Sequence, residues 1–215
     1  PMPFLKNRDP LKMTDVYVPL KVSEEELESN TDDVAKQERI DAYQAIAAHR
    51  RLMVIGEPGS GKSVLLKYLA WSYGLGKLEE LADRPSVVLL ELYRLSDKSL
   101  NEVKLVNALV KVFDRNLFPN AHQFVLQGLQ NGLFLLLLDG LDEVNSDVRD
   151  HVVGVIRDLL KKYSRCRVVV TCRTAVYEDE FSDIVDHKLE VVEFSDQQMR
   201  RFLKAWNVEM QQARK

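Results

Sequence analysis

The chain has 215 residues, a formal net charge of −3 and a sequence pI near 5.9. Hydrophobic residues make up 46% and charged residues 29%, which is typical of a folded domain, so disorder along the whole chain is not expected. Because nucleic-acid-binding domains are usually strongly basic, nucleic acid is not expected as the main partner. The longest apolar run, residues 133–138, is far too short to cross a bilayer, so no membrane partner is expected.

The two cysteines, Cys166 and Cys172, are too few for a disulfide framework and lack the spacing of a metal site. This cysteine usage indicates a reducing, cytoplasmic setting. The chain starts Pro-Met-Pro, and a helical pattern continues to its final residues, so we expect a piece of a longer protein.

Apolar runs and helical patterns alternate along most of the chain. Residues 1–31 are irregular and contain several prolines, which predicts an N-terminal extension, whereas residues 32–50 favour a helix. Most of the apolar runs that follow lack period-two alternation, which predicts strands buried on both faces, as in a parallel sheet. The five runs are Leu52–Ile55, Val87–Leu92, Leu133–Leu138, Val168–Val170 and Leu189–Phe194.

Helical patterns lie between these runs. They cover Lys62–Tyr73, Asn101–Phe113 and Asp147–Tyr163, the last with Ser146 as its expected N-cap. A final helix is predicted after a capping box formed by Ser195 and Gln198. The alternation of strand and helix predicts an α/β domain over residues 32–194, with right-handed crossovers between parallel strands.

A glycine-rich loop follows the first apolar run. Residues 56–63 read Gly-Glu-Pro-Gly-Ser-Gly-Lys-Ser and fit G-x-x-x-x-G-K-[ST], with a predicted strand before them and a helix after them. The glycines let backbone N–H groups converge on a phosphate at the positive end of the helix. Lys62 is placed to reach the β- and γ-phosphates, and Ser63 to offer its hydroxyl to Mg²⁺. The predicted nucleotide-binding residues are Gly56, Glu57, Pro58, Gly59, Ser60, Gly61, Lys62, Ser63 and Val64.

Acidic residues follow the third run. Asp139 stands at the carboxyl end of its strand, where open α/β sheets bind ligands, and is placed to hold the water shell of Mg²⁺ opposite Ser63. Asp142 and Glu143 are candidates for orienting or deprotonating the water that attacks a γ-phosphate. Three carboxylates this close repel one another without a cation, which favours a metal over the alternative of a solvated acidic loop.

Arg173 follows the fourth run. Its strand is expected to lie beside the first, so the guanidinium group would face the γ-phosphate and hydrogen-bond to it. A surface arginine paired with a nearby carboxylate is an equally good interpretation from spacing alone.

Together these segments resemble the NACHT domains of the STAND class of P-loop NTPases, which include bacterial NLR-related proteins. The resemblance rests on Gly-Glu-Pro-Gly-Ser-Gly-Lys-Ser, on Leu-Leu-Leu-Leu-Asp-Gly-Leu-Asp-Glu-Val and on Val-Val-Val-Thr-Cys-Arg-Thr. It implies a three-layer fold with a five-stranded parallel sheet in the order 5-1-4-3-2, flanked by helices. It also implies that residues 195–215 begin the first helical subdomain, and that residues 15–20 form the segment before the domain, where they either wrap the adenine or only pack.

The resemblance further implies an ATP/ADP-binding, slowly hydrolysing module that acts as a nucleotide-dependent oligomerisation and signalling switch, typically in immune or antiphage defence. The implied partners are the helical, winged-helix, effector and sensor domains of a longer protein, and further copies of it on activation. Weak or absent turnover is expected for this chain alone. The implied site roles are phosphate and Mg²⁺ binding by Lys62 and Ser63 and water-mediated metal binding by Asp139. Asp142, with Glu143 as the alternative, is implied to position the water, and Arg173 to sense the γ-phosphate.

Two other classes of function remain open. One is a constitutive P-loop ATPase or kinase of another class, and the other is a non-hydrolysing interaction domain. The intact phosphate loop and acidic residues argue against an interaction domain whose site has decayed. A GTPase is disfavoured because the sequence has no Asn-Lys-x-Asp element for guanine.

Overall fold

The computed structural model describes residues 17–25, 39–76, 84–115 and 117–212. Within these ranges the strands are β1 Lys21–Glu25, β2 Arg39–Asp41, β3 Arg51–Gly56, β4 Ser86–Glu91, β5 Phe134–Asp139, β6 Arg167–Arg173 and β7 His187–Val191. The α-helices are α1 Ala42–Ala48, α2 Lys62–Gly74, α3 Glu102–Asp114, α4 Ala121–Asn131, α5 Arg149–Lys162 and α6 Asp196–Gln212. Short 3₁₀ helices lie at Leu92–Leu95, Leu141–Glu143, Ser146–Val148 and Thr174–Val176.

All of the described strands belong to one sheet, in the order β2-β1-β7-β3-β6-β5-β4. The strands from β7 to β4 are parallel, and numbered among themselves along the chain they have the order 5-1-4-3-2. β1 pairs antiparallel with β7, and β2 pairs antiparallel with β1. The prediction of a five-stranded, all-parallel sheet is therefore wrong, because the described sheet has seven strands. The α/β class with a mostly parallel sheet is confirmed.

The two antiparallel strands continue the sheet beyond the edge of β7. Val22 in β1 is fully buried and pairs with Val191, so an apolar side chain accompanies the backbone pairing. Residues 39–41, predicted as helix, instead pair with residues 21–23. Asp41 then caps α1 by accepting from the Tyr43 N–H at 2.8 Å. The helix predicted over residues 32–50 is thus Ala42–Ala48 within the described residues, because sheet pairing overrides a local helix preference.

The ends of the other predicted helices agree closely with the structure, apart from one cap. Residues 146–148 form a 3₁₀ helix before α5, and Asn145 caps it by accepting from the Asp147 N–H at 3.0 Å. The prediction of Ser146 as the cap is therefore wrong. The capping box before α6 is confirmed: the Gln198 N–H donates to Ser195 Oγ at 3.3 Å, and the Ser195 N–H donates to Gln198 Oε1 at 3.1 Å.

Hydrophobic side chains cover both faces of the sheet and place polar groups at the ends of its strands. In β5, Leu136 and Leu138 pack with residues of α3, α4 and α5, whereas Leu135 and Leu137 pack with residues of α1 and α2. Every residue of β5 is buried, and Asp139 is the one ionisable residue among them. Asp139 therefore lies at the carboxyl end of a central strand, between the ends of β4 and β6. No helix within the described residues has the length and apolarity needed to cross a membrane.

Candidate functional site

A cleft of about 270 Å³ opens at the carboxyl ends of the central strands. Gly56 at the end of β3 pairs with Arg173 at the end of β6, so the loops after these two strands leave the sheet side by side. The lining of the cleft includes all of the predicted site residues except Gly56, Glu57 and Ser60, which belong to the loop before α2. The structure thus brings together residues that are more than one hundred positions apart in the sequence.

The loop between β3 and α2 requires glycine at two points. Gly59 has φ +80° and Gly61 has φ +96°, which is the left-handed region that other residues rarely adopt. The Gly61 carbonyl accepts from the Leu65 N–H at 2.8 Å, so α2 begins directly after this turn. The side chain of Leu20 lies against Gly61, where an added Cβ would be 3.3 Å from a Leu20 methyl group. Backbone conformation and packing therefore both fix the loop at the N-terminus of α2, where helices favour anions.

Lys62 folds over this loop. Its Nζ donates to the carbonyl oxygens of Gly56 at 2.6 Å and Glu57 at 3.0 Å. It also contacts the hydroxyl of Ser60 at 3.2 Å. Burial lowers the pKa of Lys62, and the negative charge of Asp142 opposes that shift. Neutral oxygens hold the ammonium group in a partly desolvated position. An anion that enters the cleft can replace them as the hydrogen-bond acceptor, because its negative charge makes the bond stronger.

Ser63 and Asp139 are in direct contact. Ser63 Oγ donates to Asp139 Oδ1 at 3.0 Å, and Thr171 Oγ1 donates to the same oxygen at 2.8 Å. Thr171 Oγ1 in turn accepts from the Gly140 N–H at 2.9 Å. Asp139 is 6% exposed and Thr171 is 1% exposed. Within the described part of the chain, Oδ2 of Asp139 accepts no hydrogen bond, so one oxygen of this carboxylate is held by two hydroxyls and the other is unused.

Asp142 pairs with Arg173. Arg173 Nε lies 2.7 Å from Asp142 Oδ2, and the Arg173 backbone N–H donates to Asp142 Oδ1 at 3.1 Å. The carboxylate of Asp142 is 6% exposed, whereas the side chain of Arg173 is 47% exposed. Arg173 therefore anchors one end of its guanidinium on a buried carboxylate and keeps the rest accessible from solvent.

The three carboxylates do not share one site. Asp139 is held by hydroxyl groups, Asp142 by Arg173, and Glu143 is exposed. No group of three or more His, Cys, Asp or Glu side chains in the described ranges is placed to hold a metal ion. The three side chains therefore do not converge on one position, because Asp139 and Asp142 have separate partners and Glu143 is exposed.

Sequence reasoning gave no role to Thr171 and Gly140. Thr171 precedes Arg173 by two positions in β6, and the register places it beside Asp139, because Leu138 pairs with Val170. That register is not visible in the sequence, although a hydroxyl-bearing residue near the end of a buried strand is a signal for a polar partner.

Residues 17–20 lie next to the loop and are packed. The ring of Tyr17 stacks on that of Tyr68, with centroids 3.6 Å apart and an interplanar angle of 11°. Val18 and Leu20 are buried, at 5% and 3% exposure. Residues 15 and 16 of the segment that could wrap the adenine lie outside the described residues.

In a comparison of the sequence with protein families, the model of the NACHT domain matches residues 50–209. The chain belongs to the NACHT domain family. The matched region begins just before β3 and ends within α6, so this NACHT domain contains every strand and loop that lines the cleft. A comparison with curated proteins finds no match.

Solved structures similar to the NACHT domain include PCH-2 from C. elegans, with 18% identity and a TM-score of 0.46 over 79% of this chain and 45% of that chain. A variant of RuvB from Thermotoga maritima has 14% identity and a TM-score of 0.43, over 79% of this chain and 48% of that chain. Cdc6p from Pyrobaculum aerophilum has 19% identity and a TM-score of 0.40, over 72% and 42%. The chain thus spans less than half the length of each of these structures.

Proposed function

We propose that this NACHT domain binds ATP and ADP with Mg²⁺ in the cleft, hydrolyses ATP slowly, and works as a nucleotide-dependent switch. One observation carries the proposal. The Lys62 ammonium group, the N-terminus of α2 and the hydrogen-bonded pair of Ser63 and Asp139 all border one cleft at the carboxyl ends of the parallel strands. A polyphosphate with its counter-ion is the ligand that this combination of charges suits best.

Lys62 and the loop supply the phosphate-binding part. The first N–H groups of a helix have no partner within the helix, so those of α2 can donate to phosphate oxygens. Gly59 and Gly61 let the backbone of the loop approach a phosphate without a side chain in between. When a nucleotide binds, Lys62 Nζ would donate to phosphate oxygens instead of to the carbonyl oxygens of Gly56 and Glu57.

Ser63 and Asp139 fit Mg²⁺. This ion is usually held by one or two protein oxygens and completes its octahedral shell with water and phosphate oxygens, so a hydroxyl and one carboxylate are sufficient. When bound, the ion would neutralise charge on the transferring phosphate. Ser63 would offer its hydroxyl oxygen, and Asp139 would hold the water shell with its unused Oδ2.

The contacts favour different roles for the two following carboxylates. Asp142 has both oxygens engaged by Arg173, so we assign it to holding that guanidinium group. Glu143 is exposed at the cleft and is the better candidate for orienting the attacking water. Arg173, anchored through Nε, would direct its terminal nitrogens at the γ-phosphate and so distinguish ATP from ADP.

We further propose that the switch serves immune or antiphage signalling in the cytoplasm. Exchange of ADP for ATP would change contacts with helical, winged-helix, effector and sensor domains of a longer protein, and would favour assembly with further copies of it. Family membership supports this part of the proposal. The slow turnover of an isolated domain would follow from the lack of groups that neighbouring domains supply.

The test of nucleotide binding is a thermal-shift series with ADP, ATP and GTP, each with and without Mg²⁺. A ligand at one hundred times its Kd stabilises a protein by about 2.7 kcal/mol, so we expect ADP and ATP to raise the Tm by roughly 5–10 °C. GTP is expected to give a smaller shift. No shift with any nucleotide would contradict the proposal, whereas equal shifts with ATP and GTP would contradict only the preference for adenine.

Replacing Arg173 with alanine is expected to weaken ATP binding about tenfold and to leave ADP binding nearly unchanged, because one charge-assisted hydrogen bond to the γ-phosphate is lost. Calorimetric titration with both nucleotides measures the ratio of the two affinities. Arg94→Ala is the matched control, since Arg94 is also a surface arginine paired with a carboxylate, that of Glu91. An equal loss for ADP and ATP would show that Arg173 does not sense the γ-phosphate.

A further inference from the structure

We propose that Thr171 is a positioning residue for the metal site, which it serves by holding Asp139 in the orientation that binds Mg²⁺. This inference rests on the proposed function, because it concerns the same cleft. It gives Thr171 a role that depends on its hydroxyl group and is exerted entirely through Asp139.

The direction of the hydrogen bond is fixed by the partners of Thr171. Its oxygen accepts from the Gly140 N–H at 2.9 Å, and its one proton is then directed at Asp139 Oδ1, 2.8 Å away. Thr171 is 1% exposed, so water does not compete for either bond. A buried hydroxyl that accepts on one side and donates on the other has no other acceptor for its proton within the described residues.

This bond selects which oxygen of Asp139 is available. Ser63 and Thr171 both donate to Oδ1, from α2 on one side and from β6 on the other. Rotation of the carboxylate would break both bonds, so Oδ2 stays free for the water shell of the ion. Asp139 borders the cleft, and its second oxygen is the one that accepts no hydrogen bond from the described residues.

The two donors are not equivalent. Ser63 follows Lys62 in the first turn of α2 and is itself the proposed metal ligand, so its geometry would change when the ion arrives. Thr171 lies in the interior of a strand that pairs with both β3 and β5. Thr171 is not itself a proposed metal ligand, so its position need not change when the ion arrives. Thr171 therefore keeps Asp139 aligned while Ser63 takes up the ion.

A purely structural role for Thr171 predicts a different result. β-Branched residues are common in strands, and Thr171 also satisfies the buried Gly140 N–H. If that were its whole role, removing the hydroxyl would lower stability and would weaken nucleotide binding equally with and without Mg²⁺. A positioning role instead affects only the part of the nucleotide affinity that depends on Mg²⁺.

The experiment compares Thr171→Val, which keeps the shape and loses the hydroxyl, with Thr171→Ser, which keeps the hydroxyl. Calorimetry gives the Kd of ATP with Mg²⁺ and with EDTA, and the ratio of the two is the Mg²⁺ enhancement. Loss of a group that orients a metal ligand typically costs about 10–100-fold in metal affinity, so we expect Thr171→Val to reduce the enhancement at least about tenfold. The Kd in EDTA is expected to stay near the wild-type value, and Thr171→Ser is expected to restore most of the enhancement.

A double-mutant cycle with Asp139→Asn tests whether Thr171 acts through Asp139. If Thr171 acts only through Asp139, adding Thr171→Val to Asp139→Asn should not reduce the Mg²⁺ enhancement further. If Thr171→Val does not fold, Thr171→Ala replaces it, since a water molecule can then reach the Gly140 N–H. If the wild-type protein binds ATP and the hydroxyl-free variant keeps the whole Mg²⁺ enhancement, this inference alone is overturned. Failure of the wild-type protein to bind any nucleotide overturns it together with the proposed function.

Discussion

Replacing Lys62 with alanine is expected to weaken binding of both ATP and ADP by about 100-fold, which corresponds to about 2.8 kcal/mol. The ammonium group of Lys62 contacts the loop directly, and charge-assisted hydrogen bonds to phosphate contribute about 1.5–3 kcal/mol each. Binding of ADP and of ATP should both be weakened, because Lys62 is placed to reach the β-phosphate that both contain. Calorimetric titration in the presence of Mg²⁺ measures the loss.

The folded state should tolerate this change. Burial lowers the pKa of Lys62, which means that its charge is held at a cost in the nucleotide-free protein. We therefore expect the Tm without nucleotide to be unchanged or slightly higher. Lys67→Ala is the matched control, because Lys67 lies on the same helix with an exposed side chain. The affinity of this control variant for ATP and ADP should remain within about twofold of wild type. Wild-type affinity in Lys62→Ala would contradict the assignment of the phosphate loop.

The parallel part of the fold could be predicted because its signals are local. A run such as Leu133–Leu138 has no polar residue, which favours a segment buried on both faces, and residues 134–138 are buried in β5 whereas Leu133 is exposed. The loop at residues 56–63 combines glycines with a following helix, and both features act over a few residues. These short-range signals are sufficient for the α/β class and for the position of the cleft at the strand ends.

The parts that were predicted wrongly depend on long-range pairing. β1 pairs with the edge of β7, which is more than 160 residues away in the sequence, and β2 pairs with β1. Neither pairing is visible locally, so local preference alone favoured a helix over residues 32–50. Helix α4 was not predicted from the sequence, because Gly128 lies in its interior and glycine disfavours helices. That glycine makes room for Phe134, whose ring would lie 2.4 Å from an added Cβ. A residue that breaks helices in isolation is here required by packing.

Most of the residues that line the cleft could be predicted, but Thr171, Gly140 and the hydrogen-bond partners of the others could not. Lys62 is indicated by a motif of fixed spacing, and Asp139 and Arg173 are indicated by their places at the carboxyl ends of predicted strands. That Arg173 engages Asp142, and that Thr171 engages Asp139, depends on the register between β5 and β6 and on the turn at residues 141–143. Register is set by the packing of whole strands, so no short motif encodes it.

Replacing Glu143 with glutamine is expected to lower ATP hydrolysis about 100-fold or more, because loss of a group that orients or deprotonates the attacking water typically costs about 10²–10⁴-fold in rate. Binding of ATP with Mg²⁺ should stay within about twofold of wild type, since the amide keeps the size of the carboxylate and Glu143 is exposed. Single-turnover hydrolysis with protein in excess over ATP measures the chemical step even when overall turnover is slow.

The variant Asp142→Asn distinguishes the role of Asp142 from that of Glu143. Because Asp142 holds Arg173 through Nε and the backbone N–H, its loss should release the guanidinium group and lower the affinity for ATP relative to ADP, as in Arg173→Ala. Asp147→Asn controls for the removal of an acidic side chain from the same region, since Asp147 is exposed and lies outside the cleft lining. If Asp142→Asn abolished hydrolysis with an unchanged ATP-to-ADP ratio while Glu143→Gln remained active, the two roles would be reversed, and Asp142 would be the residue that positions the water.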